Sequence, residues 1–259
     1  MTTDKKIDKS SGKKTLLIAI PFAGGNSYSY NFLKPLLPPE IILEALEYPG
    51  RGKNSKLSLV NQMDILLENL FRQYLTIVND IKPDKIFIYG HSIGAVVGVA
   101  LLHILKDRGV LDVMPEMAIF SGHGSPQHTI KRQLSNIPSD QLIAYFERIG
   151  SLSKELIADS ELMDYVLPIL RNDLALYENY ESSYTEELTL PIVVINGKQD
   201  PILKKDIESW RKETKGYVEF HELEGHHFFM SQHPFAFSEL VVNLITDGVE
   251  KNLPLSMIY

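Results

Sequence analysis

The sequence predicts an α/β protein with a mostly parallel, doubly wound sheet. Short segments rich in β-branched and aromatic residues alternate along the chain with longer segments of helical spacing. Most of the short segments are near-continuous apolar runs, which is typical of strands buried on both faces. The length of 259 residues and the apolar content of 44% fit one large domain or two small ones. The alternation favours a parallel sheet with helical crossovers.

Six segments are predicted to be strands and four to be helices. The strands are "TLLIAI" (15–20), "IILEALE" (41–47), "KIFIYG" (85–90), "EMAIFSG" (116–122), "PIVVING" (191–197) and "YVEFHELEG" (217–225). The helices are residues 58–80, 93–108, 204–215 and 234–247. The first helix shows its amphipathic spacing most clearly, through Leu59, Met63, Leu66, Leu67 and Leu70.

Residues 124–187 interrupt this alternation. The segments "SDQLIAYFERIG" and "SELMDYVLPILRNDLALYENYE" have helical spacing, and no good strand lies between them. An insertion of this kind at the carboxyl edge of a sheet commonly forms a lid over an active site. The alternative is a helical subdomain that only adds core. We therefore predict a disordered polar tail (1–14), a core (15–123 and 188–250) and a helical lid (124–187).

Charge and residue usage exclude several function classes. The formal net charge of −7 argues against duplex nucleic acid as the main partner. The absence of cysteine excludes disulfides, thiol nucleophiles and cysteine-based zinc sites. A membrane span needs about 18 consecutive apolar residues, and no segment approaches that length. The apolar run after the tail lacks the features of a secretory signal. We expect a cytoplasmic protein that binds neither nucleic acid nor membrane.

A serine between two glycines follows the third predicted strand. The segment "GHSIG" (90–94) comes directly after "KIFIY" and opens the apolar helix "IGAVVGVALLHIL". The pattern G-x-S-x-G is weak alone, but a nucleophile elbow requires this order of strand, tight turn and helix. Gly90 and Gly94 leave room for a strained serine backbone and for close packing of the helix. Ser92 is therefore a candidate nucleophile.

A serine nucleophile needs a base that takes its proton and an acid that orients the base. Behind an elbow of this type, the acid and then the histidine follow on loops after later strands. "VVINGKQDP" supplies Asp200, and "VEFHELEGHHFFM" supplies His226 and His227. Asp200 is the candidate acid. Spacing alone does not decide which histidine is the base.

The same histidine-rich segment also raises a metal site as an alternative. Four histidines lie close in sequence: His221, His226, His227 and His233. However, "HELEGH" separates its histidines by five positions, whereas H-E-x-x-H places two ligands on one helical face. We therefore predict no metal site. Three further histidines are assigned to packing or the surface: His103, His123 and His128.

Negative charge that develops on a substrate carbonyl needs preorganised N–H donors. One donor is expected to be the amide of Ile93, which follows the nucleophile. The other is expected from "PFAGGNSYSY" (21–30), where the glycines allow a tight turn and Ala23 or Phe22 is the candidate. The alternative is a glycine turn that serves only to reverse the chain.

Several sequence blocks together resemble one family. "PFAGGNSYSY", "EYPGRGKN", "YGHSIGA", "LPILRNDLALYENYE", "INGKQDP" and "GHHFFM" occur in the order seen in type II thioesterases. These stand-alone α/β-hydrolases accompany nonribosomal peptide and polyketide synthases. The resemblance runs from about residue 15 to 247 and includes the predicted lid. It is more specific than the elbow, because generic esterases lack the "PFAGG", "PGRG" and "LRND" blocks together.

The resemblance implies both a reaction and roles for residues. It makes Ser92 the nucleophile, Asp200 the acid and the histidine of a G-x-H-x-F motif the base, which selects His227 over His226. The implied reaction releases stalled or wrong acyl groups from the phosphopantetheine arm of carrier proteins, with no metal or organic cofactor. Arg51 and Asp173 match motif positions and are assigned structural roles first.

Two other functions remain open from the sequence. One is a general carboxylesterase or lipase-like hydrolase that uses the same triad, and the other is a module that binds carrier proteins without turnover. Because carrier proteins are generally acidic, docking to this acidic chain requires apolar contacts or a basic patch. The candidates for that patch are Lys131 with Arg132, or Arg51 with Lys53 and Lys56.

Overall fold

The computed structural model describes residues 13–127, 131, 133–184 and 186–247. Six parallel strands form one sheet in the order β2-β1-β3-β4-β5-β6. The strands are β1 (Thr15–Ile20), β2 (Ile41–Ala45), β3 (Lys85–His91), β4 (Met117–Ser121), β5 (Ile192–Gly197) and β6 (Val218–Leu223). All six predicted strands are confirmed. Of the predicted tail, only residues 13 and 14 lie within the described part of the chain.

Helices connect and cover the strands. They are α1 (Met63–Ile81), α2 (Ile93–Asp107), α3 (Ser139–Arg148), α4 (Lys154–Ala158), α5 (Ser160–Asn179), α6 (Lys204–Glu208), α7 (Phe229–Gln232) and α8 (Pro234–Asp247). The helix predicted from residue 58 begins only at Met63, because Gln62 has an extended backbone. The helix predicted at 204–215 is α6 followed by a short 3-10 helix, Ser209–Lys212. None of the described helices is long and apolar enough to cross a membrane.

The sheet separates two apolar cores, as the continuous apolar strands predict. Side chains of a strand alternate between its faces, so Leu16 and Ile18 lie in one core while Leu17 and Ala19 lie in the other. The first core contains α1, α2 and the buried face of α5. The second contains α7 and α8. This two-sided cover is the doubly wound arrangement predicted from the sequence.

The order of the strands reverses beside β1. The chain passes from β1 to β2 on one side and then returns to β3 on the other side. Ligands of such sheets bind outside the carboxyl ends of the strands at the reversal point. The loop after β1 and the turn after β3 meet there, and a Cβ atom on Gly94 would lie only 2.5 Å from the carbonyl oxygen of Ile20. The candidate nucleophile therefore lies beside the candidate oxyanion loop.

Helices α3, α4 and α5 form an insertion between β4 and β5, which we call the helical insertion (139–179). Three consecutive residues of α5 attach it to three different segments. Arg171 donates to the carbonyl of Ser135 (2.6 Å), and Asn172 donates to the carbonyl of Val60 (2.8 Å). Asp173 pairs with the loop that follows β2. Asn172 and Asp173 therefore fix the helical insertion to the segment between β2 and α1.

His103 on α2 is a packing residue. It is 2% exposed, and its ring stacks on Tyr184 with centroids 4.3 Å apart and an interplanar angle of 8°. Burial lowers the pKa of His103 from 6.5 to about 4. Between these two pH values, the unfolded chain therefore binds a proton at His103 and the folded protein does not.

This burial predicts a loss of stability in acid. Between pH 6.5 and about 4, unfolded His103 is protonated while folded His103 is neutral, so the free energy of unfolding falls as the pH falls. One such group contributes up to about 1.4 kcal/mol per pH unit. His103→Phe keeps a ring against Tyr184 and should lose less stability than wild type in urea denaturation across this range. An equal decline in both proteins would contradict the prediction.

Candidate active site

Ser92 lies on a strained turn between β3 and α2. Its φ of 55° and ψ of −123° lie where residues other than glycine rarely occur. The turn is held by its amide, which donates to the carbonyl of Ser121 at the end of β4 (2.8 Å). A Cβ atom on Gly90 would lie 2.3 Å from the carbonyl oxygen of Gly94, so both glycines are needed for this geometry. The serine side chain faces a cavity at the carboxyl edge of the sheet.

Asp200 and His227 meet on the loops after β5 and β6. His227 Nδ1 lies 2.8 Å from Asp200 Oδ2, and the two side chains are 12% and 2% exposed. His226 is exposed, and its amide donates to Gln232 Oε1 (3.0 Å). The structure thus places His227, and not its neighbour, against the candidate acid. A buried carboxylate that accepts from Nδ1 leaves Nε2 to face a nucleophile.

The two loops that carry this pair are bonded to each other. The amide of Gln199 donates to the carbonyl of Gly225 (3.0 Å), and the amide of Gly225 donates to Gln199 Oε1 (2.7 Å). Gly197 allows the close approach, because a Cβ atom there would lie 2.3 Å from the carbonyl oxygen of His226. These contacts fix the distance between Asp200 and His227.

The loop after β1 carries the candidate oxyanion donors. Two buried tyrosines fix where it leaves the sheet, since Tyr30 donates to the carbonyl of Ile20 (2.9 Å) and Tyr48 to that of Pro21 (2.8 Å). Ala23 then lines the cavity together with Ser92. Phe22 packs its ring against aromatic neighbours, among them Phe228 with centroids 4.9 Å apart.

Ile93 is the first residue of α2 and also lines the cavity. The amides at a helix N-terminus have no partner within the helix, and they favour negative charge. The amide of Ile93 therefore meets the electrostatic requirement for an oxyanion donor. Ile93, Ala23 and Ser92 line the same cavity.

A buried ion pair forms hydrogen bonds with the candidate oxyanion loop. Arg51 and Asp173 form a two-pronged pair, with Arg51 Nη2 2.5 Å from Asp173 Oδ1 and a second bond from Nη1 to Oδ2. Asp173 Oδ2 also accepts the amide of Gly24 (2.8 Å), and Arg51 donates to the carbonyl of Gly25 (3.3 Å). Burial lowers the pKa of Arg51, but the bonds and charge of Asp173 outweigh it and raise the pKa.

The prediction that Arg51 belongs to a basic docking patch for carrier proteins is therefore wrong, because Arg51 is only 2% exposed. Lys53 and Lys56 are exposed. Lys131 donates to the backbone carbonyl of Tyr180, and its ammonium lies 5.9 Å from the centre of the Tyr180 ring. Two other residues named above, Arg132 and His128, lie outside the described residues.

His91 is a buried neighbour of His227 to which sequence reasoning assigned no role. Its side chain shares a hydrogen bond with Ser121 Oγ (Nδ1 to Oγ, 2.9 Å), which in turn bonds Tyr89 (2.8 Å). Its ring centroid lies 4.8 Å from that of His227. Burial, and then the nearby His227 and His123, hold the pKa of His91 well below 6.5. His91 is thus neutral near neutral pH and adds no charge beside the candidate base.

One cavity of about 620 Å³ joins these elements. Ser92, Asp200 and His227 lie in its wall, as do residues of the helical insertion and of α6. His123, assigned above to packing or the surface, also lines it, together with Tyr177 of α5. The available sequence signal for His123 was its place just after β4, at the edge of the sheet where ligands bind.

The histidine-rich segment does not assemble a metal site in the described part of the chain. No group of three or more His, Asp or Glu side chains there has a geometry that could hold a metal ion. His221 lies in β6 and its Nε2 is 2.8 Å from Glu219 Oε1. The histidine segment thus divides between a strand and the loop that carries His227.

The fold and the arrangement of the site are those of an α/β-hydrolase with a serine at the nucleophile elbow. The sequence profile of the thioesterase domain matches residues 15–246. The chain belongs to the thioesterase family. This confirms the resemblance read from the sequence blocks and the prediction of an acyl-thioester hydrolase.

Individual relatives agree with this assignment. The probable cadicidin biosynthesis thioesterase of Streptomyces griseus is 28% identical over 84% of this chain, which spans only 58% of that protein's length. The structure of ClbQ from the colibactin NRPS/PKS pathway has a TM-score of 0.82 and 26% identity, covering 91% of this chain and 98% of that one. YbtT, a type II thioesterase from the yersiniabactin NRPS/PKS pathway, has a TM-score of 0.77 and 27% identity, covering 90% and 93%.

The ion pair yields a prediction that separates stability from activity. Asp173→Leu leaves Arg51 buried without its partner and should lower the free energy of unfolding by about 3–5 kcal/mol in urea denaturation. The double variant Arg51→Met/Asp173→Leu should regain most of that loss, because no charge is left unpaired.

Activity should not return with stability in the double variant. Gly24 loses its carboxylate acceptor, so the candidate oxyanion loop is held less firmly and kcat/KM for a thioester should fall about 10- to 100-fold. A double variant with wild-type activity would show that the pair does not hold this loop. A double variant no more stable than Asp173→Leu would show that the unpaired charge of Arg51 does not cause the loss of stability.

Proposed function

We propose that this thioesterase hydrolyses acyl thioesters on the phosphopantetheine arm of carrier proteins. The observation that carries the proposal is the pairing of His227 with Asp200 (2.8 Å) beside a cavity that also contains Ser92 on its strained turn. Membership of the thioesterase family supports the thioester as the substrate bond. The NRPS/PKS pathways of ClbQ and YbtT support a synthase carrier protein as the partner.

In the proposed first step, Ser92 Oγ attacks the thioester carbonyl while His227 Nε2 takes the hydroxyl proton. Asp200 orients the ring through Nδ1 and stabilises the imidazolium that forms. The tetrahedral intermediate collapses, its carbon–sulfur bond breaks, and His227 returns the proton to the thiolate. The carrier leaves with a free thiol, and the acyl group remains on Ser92.

In the second step, a water molecule gives its proton to His227 and attacks the acyl-serine. Collapse of this intermediate returns the proton to Ser92 and releases the carboxylic acid. In both steps, the oxyanion receives hydrogen bonds from the amides of Ile93 and Ala23, with Phe22 as the alternative donor. All of the chemistry uses side chains and amides of this chain, so we propose no metal and no cofactor.

We further propose that the helical insertion serves as the lid of the acyl cavity. Side chains of α3 and α5, among them Phe146 and Leu174, form part of the wall of the cavity that also contains Ser92. An apolar cover excludes water from the acyl group and strengthens the electrostatic interactions at the carbonyl. The cellular role would be the release of stalled or wrong acyl groups from a cytoplasmic peptide or polyketide synthase.

The test compares two kinds of substrate and one variant. We expect wild type to hydrolyse an acyl-carrier thioester faster than the matched p-nitrophenyl ester, and Ser92→Ala to lose about 10⁴-fold or more in kcat/KM. Labelling by a fluorophosphonate probe should disappear in the same variant. Hydrolysis of oxygen esters with no turnover of carrier thioesters would instead indicate a general esterase. Absence of labelling in folded wild type would indicate a binding module.

The two adjacent histidines provide a matched pair of variants. His227→Ala should lower kcat/KM for the carrier thioester by about 10⁴-fold or more, because Ser92 loses its base. His226→Ala should change it by less than about threefold, because the His226 side chain is exposed and alanine keeps the amide that bonds Gln232. Folding of both variants is checked by circular dichroism. The reverse order of effects would assign the base to His226.

A further inference from the structure

The wall of the cavity beside Ser92 contains apolar, polar and charged side chains. Its apolar side chains include Leu134, Phe146, Ile149, Leu174, Ile202 and Leu203, and its charged side chains include Lys205, Asp206 and Lys212. A hydrogen-bonded polar pair, His123 and Tyr177, also lies in this wall. The polar pair joins two elements of the fold, since His123 follows β4 and Tyr177 belongs to α5. His123 Nε2 lies 3.1 Å from the hydroxyl of Tyr177, and the rings meet edge to face at 5.3 Å.

This pair is held close to the nucleophile. Ser121, whose carbonyl accepts the amide of Ser92 (2.8 Å), lies only two residues before His123. The backbone of His123 is fixed in turn, because its carbonyl accepts from Nε1 of the buried Trp210 (2.9 Å). An acyl group bound to Ser92 therefore shares the cavity with a polar pair whose histidine is held just after β4.

The hydrogen-bond directions within the pair follow from its partners. His123 Nδ1 lies 2.6 Å from the carbonyl oxygen of Gly124, which can only accept, so Nδ1 carries the proton. Nε2 is then an acceptor, and the Tyr177 hydroxyl donates to it. Burial lowers the pKa of His123 to about 4, so the ring stays neutral near neutral pH. A phenol oxygen that donates its proton still has lone pairs that accept.

We propose that His123 and Tyr177 are specificity-determining residues that favour acyl groups carrying a hydroxyl over plain alkyl acyl groups of the same length. The substrate hydroxyl donates to the Tyr177 oxygen, which His123 keeps oriented. The preference rests on the proposed thioester hydrolysis and goes beyond it, because it selects among acyl groups. Because the pair is neutral, it contributes to this selection by hydrogen bonding.

The experiment measures kcat/KM for three pantetheine thioesters: butyryl, 2-hydroxybutyryl and 3-hydroxybutyryl. We expect wild type to prefer at least one hydroxyacyl group over butyryl by about three- to tenfold, the range of one net hydrogen bond. Tyr177→Phe removes only the hydroxyl and should bring that ratio close to one. Dividing the wild-type ratio by the variant ratio removes intrinsic differences in reactivity between the thioesters.

Two further variants complete the design. His123→Phe removes the acceptor that orients the tyrosine and should reduce the same ratio, which keeps the test decisive if Tyr177→Phe fails to fold. Tyr184→Phe removes a hydroxyl from the other histidine–tyrosine pair, at His103, which lies outside the cavity. It should keep the wild-type ratio.

The outcomes separate this inference from the function on which it rests. Equal kcat/KM for all three thioesters, or a ratio that survives in both Tyr177→Phe and His123→Phe, overturns the inference and leaves the proposed function standing. No hydrolysis of any of the three by folded wild type overturns both.

Discussion

The pairing of Arg51 with Asp173 couples three parts of the molecule that are distant in sequence. Arg51 follows β2, Asp173 lies in α5, and the loop that they hold, through Gly24 and Gly25, follows β1. Taking two charges out of water costs several kcal/mol per ion, which is recovered only when the remaining donors and acceptors are also satisfied. Here the backbone groups of Gly24 and Gly25 satisfy part of the pair, while the buried Nε of Arg51 has no hydrogen-bond partner among the described residues. The position of Ala23 beside Ser92 therefore depends on a helix of the insertion between β4 and β5.

The strands and the elbow were predictable because the signals that specify them are local. Strands buried on both faces leave apolar runs, and the strand, turn and helix that surround Ser92 are consecutive in sequence. Gly90 is required by a contact within that turn, whereas Gly94 is required by the carbonyl groups of Ile20 and Pro21. The choice between His226 and His227 was not local. It depends on the direction of the loop after β6, which is set by contacts with Gln199 and Gln232. The G-x-H-x-F resemblance selects the histidine that the structure places against Asp200, but the spacing of residues did not.

The histidines around the site show where sequence reasoning stops. His91 has the same strand parity as Tyr89, so its burial on that face follows from alternation, but its distance to His227 depends on two loops from elsewhere. His123 lies after β4, where the position suggests a ligand, yet its partner Tyr177 comes from the helical insertion. Isolated polar residues show no periodic pattern in the sequence. Their neighbours, and therefore their roles, are defined only when separate elements pack together.

Three consecutive residues of helix α5 each contact a different segment of the chain. Successive residues of a helix point about 100° apart, so a helix packed on one face records its contacts every three or four positions. Arg171, Asn172 and Asp173 instead bond three segments in three directions. Each change in this triplet releases a different neighbour, and none of the three can compensate for another. Residues 171–173 of this helix are thus surrounded by other segments and do not merely lie against one surface.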